Sequence, residues 1–148
     1  MNLAQINVAK MVAPLESPEL ADFVARLEIV NARADSAPGF LWRLKDEGAG
    51  ATSIRIFDDE LIIVNMSVWQ NPESLNSFVY RQSNHAEALR KRRDWFESPS
   101  EAMVACWTVT EGHQPSLEEA RNKLMLLREI GSSGEAFSLK AASEFFKS

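Results

Sequence analysis

Residues Leu61 to Trp69 alternate as only a strand with two unlike faces does. Side chains on a strand point to opposite sides in turn. Ile62, Val64, Met66 and Val68 therefore share one wholly apolar face. Leu61, Ile63, Asn65, Ser67 and Trp69 share the other, which turns polar toward its end. The apolar face calls for helices packed on it. The mixed face suits a cavity or an interface, because buried amides and hydroxyls need partners. The strand runs into Asn71-Pro72-Glu73, a helix start, and the long helix that follows carries His85.

The flanking segments extend this pattern. Leu3 to Met11 alternates as a strand, with Ala4, Ile6 and Val8 opposite Leu3, Gln5, Asn7, Ala9 and Met11. Ser17-Pro18 reads as an N-cap followed by proline at the first helical position. Leu20, Phe23, Val24, Leu27, Val30 and Ala34 then recur at helical spacing, which predicts one buried stripe. Phe40 to Lys45 reads as a strand with Phe40, Trp42 and Leu44 opposite Leu41 and Arg43. A polar, glycine-containing loop and a short strand at Thr52 to Phe57 precede Leu61. After Asn71-Pro72, the residues Leu75, Phe78, Val79, Ala86, Leu89 and Phe96 fit one helical stripe, with Ser83-Asn84 favouring a break. Glu101 to Val109 is a strand, with Val104 and Cys106 opposite Ala105, Trp107 and Val109. Ser116 and Glu119 form a capping box ahead of Leu117, Ala120, Leu124 and Leu127, and Gly131 stops that helix.

Strand, helix, strand, short strand, strand, helix, strand, helix is the split βαβ order of an α+β, ferredoxin-like sandwich. The last helix and an apolar-containing tail are additions. The reading is one domain over residues 1–131 and a docking tail over residues 132–148. A ferredoxin-like sheet has one helix-covered face and one open face. The open face is expected to carry Trp69, with Trp42 or Trp107, and is too apolar to leave in water. A second copy packing sheet against sheet would cover it, so a homodimer is expected.

The bulk properties narrow the function. At 148 residues the chain is long enough for one sizeable core. A net charge of −5 argues against general binding of nucleic acid. The basic run Arg90 to Arg93 points in all directions on a helix and is flanked by Glu87, Asp94 and Glu97, so it reads as a solvated face. Cys106 is the only cysteine, which suits a reducing compartment. No signal peptide and no stretch of ~20 apolar residues is present, so a cytoplasmic protein without membrane contact is expected.

Several stretches together resemble a known family. These are Leu3 to Ala9 with Pro14-Leu15, Phe23-Val24 through Val30-Asn31, Pro38 to Leu44, Val64 to Trp69 and Phe78 to Arg81. His85, Arg92 to Phe96, Gly112 to Pro115 and Glu135 to Phe137 follow in order. The chain thereby resembles domain-of-unknown-function family 3291 over nearly its whole length. The resemblance implies a dimeric α+β barrel, shared with antibiotic-biosynthesis-type monooxygenases and haem-degrading enzymes. It implies no established activity. Haem-degrading relatives have an asparagine on the first strand and a histidine on the helix after the third, elements that here hold Asn7 and His85. Phe78 and Tyr80 sit closer to His85 than that pattern wants, and no C-x-x-C-H attachment motif exists, so no cofactor is expected and haem binding is kept as a minor alternative.

Two functional readings remain. In the first, the protein binds a small hydrophobic or aromatic compound beside the sheet, as a cofactor-independent monooxygenase would. Asn7, Asn65 and Ser67 orient the ligand, with Gln5 on the same wall, and Trp69 stacks on it. His85 is the acid/base residue, and Tyr80 supplies a phenol. In the second, the same residues form a non-catalytic dimeric binding or structural module. His85 then bonds to backbone, and the polar wall is an interface network. Arg43 and Arg81 read as surface ion-pairing residues, His113 as a turn or capping residue, and Cys106 as core. No His or Cys pair has the spacing of a structural zinc site.

Overall fold

The computed structural model describes residues 1–45, 59, 61–83, 94–97 and 101–147. The short strand expected at Thr52 to Phe57, His85 and the basic run Arg90 to Arg93 lie outside the described residues.

The strands are β1 (Asn2–Lys10), β2 (Phe40–Arg43), β3 (Ile62–Trp69) and β4 (Val104–Val109). Among the described residues the α-helices are α1 (Ala21–Asp35), α2 (Pro72–Ser83), α3 (Leu117–Ile130) and the short α4 (Ala142–Phe145). The sheet order is β2-β3-β1-β4, and each neighbouring pair is antiparallel. With α1 between β1 and β2 and α2 between β3 and β4, this is the ferredoxin-like α+β arrangement. Among the described residues no helix is long and apolar enough to cross a membrane.

The two faces of β3 go to different helices. Ala4, Ile6, Val8, Met66, Val68, Ala105, Trp107 and Val109 form the apolar side and pack on Ala120, Leu124 and Leu127 of α3. The mixed side faces α1 and α2. Trp69 is therefore not on an uncovered face, as the split βαβ reading expected. It is 1% exposed and packs with Leu75 of α2 and Phe137 of the C-terminal segment. Trp107, on the opposite side, is buried under α3. The added helix takes much of the place that sheet-against-sheet packing was expected to fill.

β2 departs from simple alternation. Phe40 pairs with Trp69, but Trp42 pairs with Val68 and Arg43 with Ser67, so Leu41 is an extra residue in the register. Such a bulge moves the residues beyond it to the other side. Phe40 packs with Trp69, while Trp42 and Leu44 pack on the apolar cluster. The sequence pattern puts all three together. Leu41 itself is exposed.

The helix starts follow capping chemistry with local changes. Ser17-Pro18 opens a 3₁₀ turn, Pro18–Leu20, that leads into α1, and the Ser17 hydroxyl donates to the Pro14 carbonyl at 2.5 Å. Asn71 Oδ1 accepts from both the Ser74 amide (2.9 Å) and the Ser74 hydroxyl (2.8 Å), which fixes the start of α2. Ser116 Oγ accepts from the Glu119 amide at 3.1 Å. The Glu119 carboxylate does not complete the capping box: Oε2 accepts from Trp107 Nε1 at 2.8 Å, and Oε1 pairs with His113 Nε2 at 2.7 Å. A buried indole N–H needs an acceptor more than a helix-end amide that water can reach.

The C-terminal segment docks on the sheet edge. Cys106 and Phe137 exchange backbone hydrogen bonds of 2.8 and 2.9 Å. Phe137 is fully buried and stacks on Phe145 with ring centroids 6.0 Å apart. The pairing satisfies backbone groups of β4 that a sheet edge would leave bare.

Candidate functional site

β1 and β3 build a floor. Their register sets Leu3 against Trp69, Gln5 against Ser67, Asn7 against Asn65 and Ala9 against Ile63. Because the residues alternate, all eight side chains lie on the mixed side. The α1 stripe, Phe23, Leu27, Val30 and Ala34, stands over this floor, and α2 contributes Leu75, Phe78 and Val79. The helices and sheet flank an open-sided cavity of about 660 Å³. Exposed Ile29 of α1 and Val79 of α2 line its rim.

Hydrogen bonds order the middle of the floor. Gln5 Nε2 donates to Asn65 Oδ1 at 2.9 Å and to Ser67 Oγ at 2.7 Å. Trp69 Nε1 donates to the same Ser67 Oγ at 2.8 Å. Ser67 Oγ thus has both lone pairs occupied, which leaves its O–H as a donor. The Asn65 amide N–H groups, the Gln5 carbonyl oxygen and the Asn7 amide make no hydrogen bond to another described side chain. Gln5 and Ser67 are buried, whereas Asn7 and Asn65 are exposed on the cavity floor. The arrangement is a preset band of donors and acceptors between apolar walls.

Aromatic side chains close both ends. Trp69 sits edge-to-face with Phe40 (5.4 Å between centroids) and 5.2 Å from Phe78. Its ring is flanked and buried, so it forms an end wall, not the stacking platform expected of it. At the other end Trp95 lies 5.5 Å from Phe23 and 6.4 Å from Phe96, and Phe23 lies 4.9 Å from Phe96. Backbone bonds anchor this end to the exit of β1: Val12 N–H to the Trp95 carbonyl at 2.8 Å and Glu97 N–H to the Lys10 carbonyl at 2.9 Å. The Arg26 guanidinium lies 5.9 Å from the Trp95 ring centroid.

Arg26, Arg33 and Arg43 supply the positive charge along the lining. Arg43 forks onto Asp35, with Nε 2.8 Å from Oδ1 and Nη2 3.3 Å from Oδ2. That hydrogen bonding holds the Asp35 carboxyl below its ordinary range. No carboxylate, histidine, cysteine or tyrosine lines the cavity among the described residues. Among those residues no three His, Cys, Asp or Glu side chains gather as a metal site needs.

Of the residues singled out in the sequence, Asn7, Asn65, Ser67 and Trp69 come together on this floor. Tyr80 does not line the cavity; it is 68% exposed on α2. His85 lies outside the described residues. Cys106 is buried under Phe137, and burial pushes its thiol up to about 12. The Trp95, Phe96 and Phe23 end is not legible in the sequence, because Phe96 also fits a single long helical stripe. The adjacent Trp95-Phe96 pair was a signal, since two large aromatics in succession cannot both follow one helical stripe.

No curated protein matches the chain. SnoaB, a cofactor-independent oxygenase from Streptomyces nogalater, is similar in structure with a TM-score of 0.43 at 14% identity, over 74% of this chain and 94% of that one. An Asn-to-Ala variant of SnoaB gives 0.47 at 14% identity, over 78% and 98%. A candidate antibiotic biosynthesis monooxygenase from Chloroflexus aurantiacus J-10-fl gives 0.46 at 18% identity, over 77% and 98%. The family model that matches residues 2–147 is described as Domain of unknown function (DUF3291), and the chain belongs to that family.

Proposed function

We propose that the protein binds a small hydrophobic or aromatic molecule in the cavity beside the sheet and acts on it as an oxygenase that draws its electrons from the substrate. The observation that carries this reading is the Ser67 hydroxyl. With both lone pairs taken by Gln5 and Trp69, it has a donor left on the floor of an otherwise apolar cavity. That donor and the Asn65 amide would bind a ligand oxygen and stabilise negative charge developing on it. An electron-rich aromatic held as its oxyanion reacts with dioxygen without help from acidic or basic side chains. The phenolic proton passes to water, the electron-rich ring carbon bonds to one end of dioxygen, and the O–O bond then breaks: the carbon loses its hydrogen and keeps one oxygen as a carbonyl, and the other oxygen leaves as water with that hydrogen and a proton from solvent, so the phenol ends as a quinone. This chemistry asks for orientation and charge stabilisation, which the Ser67 hydroxyl and the Asn65 amide would provide.

The test has two parts. Saturable enhancement of 1-anilinonaphthalene-8-sulfonate fluorescence, weakened in Ser67→Leu, is expected from a binding cavity. Dioxygen uptake with hydroxylated naphthalenes, slowed in Ser67→Ala, is expected from the oxygenase. Binding without uptake would favour the second reading, a non-catalytic binding module. The described lining, which holds no acid or base, is compatible with that reading. A stoichiometric Soret band after adding haemin, lost in His85→Ala, would replace both with a haem protein.

The proposal extends to a homodimer in a reducing, cytoplasmic setting. Trp42, Leu44, Ile62 and Val64 are only partly buried on the β2–β3 half of the apolar side, and Leu41 beside them is exposed. A second copy seated there would remove this surface from water. Native mass spectrometry should give twice the chain mass, and Leu41→Lys with Trp42→Glu should return the monomer.

A further inference from the structure

The two ends of the cavity repeat one design, and the middle differs from both. Each end has a buried tryptophan backed by two half-buried phenylalanines: Trp69 with Phe40 and Phe78, and Trp95 with Phe23 and Phe96. Between them lies the amide and hydroxyl band. Six residue steps along β3 separate Trp69 from Ile63 beside the second end, about 20 Å at ~3.3 Å per residue. The cavity of about 660 Å³ is lined at both ends by these rings and between them by the polar band.

From this layout we infer that the cavity is bipartite. Trp95, Phe23 and Phe96 form a second aromatic subsite, and the ligand is an elongated molecule with a flat apolar group at each end and oxygen-bearing groups between. The inference rests on the proposed ligand cavity and narrows its substrate class. Rings satisfy the aromatic ends through area and edge-to-face contact. The floor between them would reject an all-hydrocarbon linker, because Ser67 O–H, the Asn65 amide and the Gln5 carbonyl would lose water without gaining a partner. Ala9 is the smallest floor residue near the second end, where a larger side chain would occupy that subsite while leaving Trp95 in place.

Curcumin, with a phenolic ring at each end of a diketone linker, is a suitable probe, and its one-ring half, dehydrozingerone, is the control. Calorimetric titration of the wild-type chain should show one curcumin per site and two of the half molecule. Trp95→Leu, Ala9→Leu and Phe78→Leu should each weaken curcumin at least about tenfold. Each should also reduce the half molecule from two to one. Ala9→Leu removes no packing, so it serves if Trp95→Leu fails to fold. Curcumin affinity unchanged by both Ala9→Leu and Trp95→Leu, with Phe78→Leu weakening it, would overturn the bipartite site and leave the ligand cavity standing. Curcumin that fails to bind where 1-anilinonaphthalene-8-sulfonate binds would overturn it as well. Failure of all three probes would remove both the cavity reading and the inference.

Discussion

Gly39 shows how one residue ties two elements together. Its φ of +83° lies in the left-handed region, and a Cβ there would run into the Ser74 side chain at the start of α2. Gly39→Ala should therefore cost about 2 kcal/mol, visible as a lower midpoint in urea. An unchanged midpoint would contradict the close approach. Asp35 makes a second prediction at this scale. Its carboxyl is held below the ordinary value of 3.8, chiefly by the hydrogen bond from Arg43. A lowered carboxylate contributes stability that is complete above the unfolded value and is lost as pH falls through the folded one. Asp35→Asn should lower the melting temperature at neutral pH and make no difference in strong acid. Because Asp35 is exposed, the effect should be small.

At the scale of elements, the start of α3 separates two roles that the capping pattern merges. Ser116 caps the helix through the Glu119 amide, while the Glu119 carboxylate serves Trp107 and His113. Ser116→Ala removes a cap, worth about 1 kcal/mol. Glu119→Ala leaves a buried indole N–H unpaired, a cost of about 1–3 kcal/mol. Equilibrium unfolding should rank the second variant as the less stable, and the reverse order would contradict the assignment. Alternation in β1, β3 and β4 was legible because burial on both sides forces the residue types. The β2 bulge was not. Phe40, Leu41, Trp42 and Leu44 are all apolar, so a slip of one position changes no visible pattern. Arg43 alone was polar, and its pairing with Asp35 depends on α1 lying across the sheet.

For the whole molecule, the C-terminal segment completes the core. Ala136, Phe137 and Ala142 are fully buried, and Phe137 covers Cys106 at the β4 edge. Deleting residues 135–148 should expose the thiol, whose burial now pushes it up to about 12. Iodoacetamide at mildly alkaline pH should then label the shortened chain rapidly and the intact chain only on unfolding. Equal labelling rates would argue against this docking. The polar floor was readable from residues alone, since Gln5, Asn7, Asn65 and Ser67 share a face whenever β1 and β3 pair in this register. The second aromatic end was not, since Trp95 reaches the cavity through backbone bonds to a strand more than eighty positions earlier. Alternation and capping are short-range constraints written into neighbouring residues, and by themselves they determined the four described strands, the main described helices and the ferredoxin-like order. Which helix covers which face, and where a cavity is left unfilled, depend on how distant surfaces meet, and that only the tertiary structure decided.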